Sequence, residues 1–132
     1  MAAAQKGTGQ IYAYDNDRLR LKPIFERLKR AGVRNAQVLR ARDTAALQAL
    51  GPRFDLVLVD APCTGTGVWR RRPEAKWKLK AGSIANRQRD QDEVLDLAAP
   101  LVKPGGRLVY VNCSILAEEN TGQVARFCQR HA

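Results

Sequence analysis

Histidine is almost missing from this 132-residue chain: the single one, His131, stands next to the C-terminal residue. A zinc site or a histidine-based triad therefore has almost no material, and no metal is expected. Cysteine is scarce and odd in number, with Cys63, Cys113 and Cys128 at no paired spacing. That count excludes a disulfide scaffold and, with no signal peptide, favours free thiols in a reducing cytoplasm. There is no long apolar run, so no membrane segment is expected, and no internal repeat or interdomain linker. Acids are few, 13 against 23 Lys and Arg, giving a net charge of +10. A polyanionic partner is the first reading of that excess; the plainer one is a basic, soluble or ribosome-associated protein. With 45% hydrophobic residues the chain can bury one core. Its chemistry has to use thiols and carboxylates.

The apolar pattern reads as strands alternating with helices. Strands are expected at 9–15, 35–43 and 54–60, each ending in an acid: Asp15, Asp43 and Asp60. A fourth is expected over 106–114, containing Cys113. Helices are expected at 18–32, with Leu21, Ile24, Phe25 and Leu28 at helical spacing and a bend or late start at Pro23, then at 83–102 and 117–131. "KPGG" (103–106) is expected to stop the long helix. Such alternation indicates an open α/β fold whose mainly parallel sheet is buried on both faces. Ligands of such sheets sit beyond the carboxyl ends of the strands, where Asp15, Asp43, Asp60 and Cys113 all fall. Any single Asp there is equally an ordinary cap or turn residue.

"LVLVDAPCTGTG" (56–67) carries an acid, a proline and a thiol straight out of an apolar strand, followed by two glycines. Pro62 fixes the turn, and Gly65 and Gly67 permit close approach to the backbone. A lone buried cysteine would by default be inert. Here "DAPCTGTG", "RRRPEAKW" (70–77) and "LVKPGGRLVYVNCSILAEEN" (101–120) occur together. In that combination the chain resembles the Nol/Nop/Sun family of RNA (cytosine-5) methyltransferases over nearly its whole length.

The resemblance implies a Rossmann-like S-adenosylmethionine-dependent methyltransferase and a substrate in RNA, specifically small-subunit ribosomal RNA. It implies that Cys113 is the nucleophile that adds to carbon 6 of cytosine and that Cys63 assists product release. It further implies that Asp15 binds the cofactor ribose, that Asp43 lies by the adenine, and that Asp60 holds the methionine end or the target cytosine. Arg70, Arg71, Arg72, Lys76, Lys78 and Lys80, interleaved with Trp69 and Trp77, read as an RNA grip beside Pro62 and the first thiol, or else as a solvated loop. A thiol of ordinary pKa, about 8.5, needs nearby positive charge, and a helix starting near Ala117 is expected to supply part of it.

Two departures from the family pattern are small: Asn112 replaces a threonine and Ala117 a proline. A larger one is that the family's first strand with its glycine-rich loop, its N-terminal RNA-binding region and its last strands have no counterpart in 1–132. The expected unit is thus a partial catalytic domain, inactive in isolation and prone to self-association through unpaired strand edges. Two other readings stay open. One is an amino-group methyltransferase, against which the cysteines argue; the other is a non-catalytic basic RNA-binding module.

Overall fold

The computed structural model describes residues 2–131. They form two compact units, one running up to Leu50 and the other beginning at Gly51.

The first unit is built from β1 (Ile11–Ala13), α1 (Arg18–Arg30), β2 (Ala36–Val38) and α2 (Thr44–Gln48). β1 and β2 pair in parallel, from Ile11 opposite Ala36 to Ala13 opposite Val38. Pro23 lies inside α1 rather than at its start. The start is set upstream by Asp17, whose carboxylate accepts from the Leu19 N–H at 2.8 Å and caps the helix. Leu21 is the buried anchor of the helix, whereas Phe25 is 59% exposed. At about 100° per residue Phe25 falls on the far edge of the stripe set by Leu21, Ile24 and Leu28.

The second unit contains β3 (Phe54–Asp60), α3 (Ser83–Ala98), β4 (Val102–Val111) and α4 (Thr121–Arg130). β3 and β4 run in parallel, in register from Leu56 opposite Arg107 to Asp60 opposite Val111. Val59, Ala61 and Ala98 form the core, with Val57, Val94, Leu108 and Tyr110 packed against it. α3 therefore lies on one face of the pair. Side chains alternate along a strand, so Leu56 and Leu58 point to the opposite face, and both are exposed there together with Val111. Burial of β3 on both faces, expected from its apolar run, is not what the structure shows. Within the second unit no second layer covers that side.

Two helices are shorter than their patterns suggest. α3 ends at Ala98, and residues Ala99–Leu101 form a 3-10 turn around Pro100, which cannot continue the α-helical hydrogen bonding. "KPGG" is consequently not the helix stop. It bulges out of β4, between the pairs Phe54–Val102 and Leu56–Arg107. Gly106 fits there because a Cβ would stand 2.7 Å from the Phe54 carbonyl oxygen. The C-terminal helix is broken in the same way: a 3-10 turn at Ala117–Glu119 is followed by Asn120 at φ −114° and ψ −100°, and α4 begins only at Thr121. α4 is tied to α3 by ion pairs, Arg130 to Asp92 at 2.8 Å and to Asp96 at 3.1 Å, with Arg126 also on Asp92. The one histidine is used here, against Asp96 at 2.9 Å.

Candidate functional site

Parallel pairing brings the carboxyl ends of β3 and β4 side by side. The chain beyond them is stitched together by main-chain bonds from Ala61 N–H to the Val111 carbonyl at 2.8 Å and from Gly67 N–H to the Cys113 carbonyl at 2.9 Å. Gly65 takes a left-handed φ of +71°, turning the loop into a short 3-10 segment, Thr66–Val68. Gly67 lies so close to the second motif that a Cβ would sit 2.6 Å from the Cys113 carbonyl oxygen. These contacts place the Cys63 and Cys113 sulfurs 3.3 Å apart. Both are free thiols, Cys63 half-buried and Cys113 exposed. Cys128 is also free, and exposed on α4.

Beneath the thiols lies a group that the sequence pattern did not single out. Glu119 is fully buried. Its Oε1 accepts from the Thr64 N–H at 2.9 Å and from the Gln91 side-chain amide at 3.0 Å, and its Oε2 accepts from the Thr64 hydroxyl. Burial alone would push this carboxyl up. Hydrogen bonds from Ser114, Thr64 and Gln91 outweigh it and hold the group below the usual glutamate range. The Glu119 carbonyl accepts from the Tyr110 hydroxyl at 2.8 Å and the Asn112 amide at 3.0 Å. Burial pushes the Tyr110 phenol up to about 12, so it remains a donor at neutral pH. Asn112 in turn accepts from the Ser114 N–H at 2.7 Å, Thr66 and Ser114 share a hydroxyl contact at 3.0 Å, and Gln91 also donates to the Pro62 carbonyl at 2.9 Å. A signal was available in "AEEN" (117–120): acids close behind a reactive thiol motif.

The Cys113 thiol is pushed up from its ordinary value, first by its hydrogen bond with Cys63, then by burial, by the Cys63 charge and by Asp60. At neutral pH it is therefore a thiol, and the expected help from a helix starting at Ala117 is absent because α4 starts four residues later. Asp60 is exposed at the end of β3, with its charge within reach of Cys113. Arg70, Arg71, Arg72 and Lys76 are exposed, and Lys76 lies over the ring of Trp77, 4.8 Å from its centre. Of that basic stretch Lys78 lines the cleft of about 240 Å³ beside Cys63, joined by Arg87, which the sequence pattern does not single out, and by Thr64, Leu79 and Ser83.

In the first unit Asp15 and Asp43 both lie near Tyr14, whose phenol is raised by burial and then by the charges of Asp43 and Asp15. Both carboxylates thus lie near the carboxyl end of the β1–β2 pair. Asp43 has the capping role too: it accepts from the Ala46 N–H at 2.9 Å at the start of α2. Asp15 closes a turn by accepting from the Asp17 N–H at 2.8 Å.

The profile of a family described as 16S rRNA methyltransferase RsmB/F matches residues 1–132. The chain belongs to the RsmB/F family. Among curated relatives, the ribosomal RNA small subunit methyltransferase B of Citrobacter koseri is 43% identical over 92% of this chain, and that of Salmonella paratyphi B is 43% identical over 91%. The chain spans 28% of the length of each of these relatives. Among solved structures, PH0851 aligns over 99% of the chain and 30% of its own, with a TM-score of 0.91 at 39% identity. NSun6 from Pyrococcus horikoshii, solved with SFG, aligns over 98% of the chain and 33% of its own, with a TM-score of 0.83 at 33% identity. The RsmB/F chain thus has the α/β, Rossmann-like architecture of S-adenosylmethionine-dependent methyltransferases. In this family member the motif residues Cys63 and Cys113 are adjacent, and Pro62 and Asp60 flank them. In the first unit Asp15 and Asp43 both lie near Tyr14.

Proposed function

We propose that the chain carries the substrate-side chemistry of an S-adenosylmethionine-dependent RNA cytosine-5 methyltransferase acting on small-subunit ribosomal RNA, as part of a larger catalytic domain. The observation that carries this reading is the 3.3 Å contact of two free thiols at the carboxyl ends of adjacent parallel strands. Carbon 5 of cytosine is a poor nucleophile. Addition of the Cys113 sulfur to carbon 6 forms a C–S bond and leaves an enamine, whose carbon 5 can accept a methyl group. Loss of the carbon 5 proton and cleavage of the C–S bond then return the thiolate, with Cys63 beside it to assist release. Cys113 is a thiol at rest, and as its sulfur adds to carbon 6 its proton passes to nitrogen 3 of the ring, which the enamine requires; Cys63 stays in contact with the sulfur.

S-adenosylmethionine, when bound, supplies the methyl group. Asp15 fits the ribose hydroxyls of its nucleoside end and Asp43 the adenine side, each carboxylate held in place by a main-chain N–H. Asp60 fits the methionine end or the cytosine. Two observations support reading the chain as part of a domain: the uncovered apolar face of Leu56, Leu58 and Val111, and the 28% share of its relatives' length. Trp77, 80% exposed beside Lys76, favours RNA contact by the basic segment.

The test is covalent trapping. In a version extended to the relatives' catalytic-domain length, RNA containing 5-fluorocytosine should leave a stable protein–RNA adduct. Cys113→Ala should abolish it, whereas Cys63→Ala should let an adduct form and persist even on RNA with unmodified cytosine. An adduct yield unchanged in the Cys113 variant would overturn the assignment, and RNA binding without any adduct would leave only the non-catalytic RNA-binding reading.

A further inference from the structure

We propose that Glu119 is the positioning residue of this site: its buried carboxylate couples the two motif loops and holds the Cys63 and Cys113 thiols in contact. The catalytic meaning of that contact rests on the function proposed above. A carboxylate is kept out of water only where its lone pairs are used, and here they are spent on the neighbours of the thiols. Thr64, which follows Cys63, gives Glu119 both its N–H and its hydroxyl. On the second loop the carboxylate takes a hydrogen bond from Ser114, which follows Cys113, and the main-chain carbonyl of Glu119 adds the side-chain amide of Asn112, which precedes it, at 3.0 Å. Gln91, fully buried on α3, adds a third element by bonding both the Glu119 carboxylate and the Pro62 carbonyl. One residue therefore reaches the chain beside each thiol. Packing alone would be served by an apolar side chain; a two-oxygen acceptor is needed to fix the loop at residue 64 at two points.

Sulfurs 3.3 Å apart are in contact, so a loop shift of under an ångström parts them. Phenylarsine oxide reads this spacing directly. It condenses with two neighbouring thiols, forming two As–S bonds and releasing one water, and a single thiol holds it only weakly. In the 132-residue chain carrying Cys128→Ser, one arsenical should bridge the pair. Glu119→Ala, with its fold checked by circular dichroism, should bind it about tenfold or more weaker, the penalty of a misplaced reacting pair. Glu119→Gln should restore binding to within about twofold, because its carbonyl oxygen still accepts and its amide can donate to the Thr64 hydroxyl. A merely structural role would lower the melting temperature of the Ala variant and leave arsenical affinity unchanged once folded. If Glu119→Ala does not fold, Thr64→Val decides, since it removes only the hydroxyl bond and should weaken binding about threefold. A folded Glu119→Ala chain, or failing it a Thr64→Val chain, that binds the arsenical as tightly as its parent would overturn the proposal. The assay contains neither RNA nor methyl donor, so its failure leaves the methyl-transfer reading standing, and a failed adduct trap leaves the clamp standing.

Discussion

Gly67→Ala should damage both stability and the thiol pair. The new methyl would stand 2.6 Å from the Cys113 carbonyl oxygen, so reaching an ordinary 3.4 Å contact moves one loop by about 0.8 Å. The same shift stretches the 2.9 Å bond from the Gly67 N–H to that carbonyl. Overpacking of this kind costs about 1–3 kcal/mol and a broken hydrogen bond about 0.5–1.5 kcal/mol, together about 1.5–4.5 kcal/mol. Against a total stability of about 5–15 kcal/mol that is a large share. At about 4 °C per kcal/mol the melting temperature should fall by about 6–18 °C. Gly106→Ala is the matched control, since its methyl would meet the Phe54 carbonyl oxygen at 2.7 Å and Val102 Cγ1 at 2.8 Å, at the other end of the β3–β4 pair. It should destabilise to a similar degree and leave the thiols alone. Thermal melts by circular dichroism give the first quantity, and the pH dependence of Cys113 alkylation gives the second. A Gly67→Ala chain melting within about 2 °C of the parent would refute the steric argument. Equal disturbance of the thiols by both variants would refute its localisation.

The midpoint of Cys113 alkylation by iodoacetamide should lie above that of an ordinary thiol, and Cys63→Ala, which removes the first cause of the upward shift, should lower it and speed alkylation near pH 8; a midpoint that stays put would deny the coupling. Glu119 has a lowered folded pKa, so the stability it contributes is fully present above the ordinary glutamate range and drains as pH falls through the folded value. Glu119→Gln should therefore show a flatter acid limb in denaturation midpoints taken from pH 7 downward, and an unchanged limb would place the acid sensitivity elsewhere. Binding of single-stranded RNA should weaken steeply with salt, and replacing Arg70, Arg71 and Arg72 by Gln should flatten the log–log slope by about 0.7 for each phosphate no longer neutralised. Filter binding from low to high salt measures it, and a slope that the triple substitution does not change would place the RNA on another surface.

β3 could be read to its ends because seven residues, Phe54–Asp60, form an apolar run closed by a turn signal, and local pattern decides such a strand. The motif cysteines were singled out for a different reason: two motifs occurring together resemble a known family, and that resemblance, not the residue pattern by itself, implies their roles. Charge, and with it the expectation of a polyanionic partner, is also a property of composition alone. Helix ends were less legible. Pro100 and Asn120 cut two helices short because the chain there must turn back to lay β4 against β3 and α4 against α3, a demand made by partners distant in sequence. Nor could the pattern show that Leu56 and Leu58 face outward, since apolar spacing says which residues share a face and not whether another layer covers it.

Glu119 belongs wholly to the tertiary structure. In sequence it is one of two adjacent acids, Glu118 and Glu119, and by composition both belong on the surface. Folding leaves Glu118 exposed and brings Thr64, 55 positions away, against Glu119. The same crossing sets the thiol contact between residues 50 apart. Residue identity fixed which atoms could react; the parallel pairing of β3 with β4 decided that they meet, because only that register delivers both strand ends to one place.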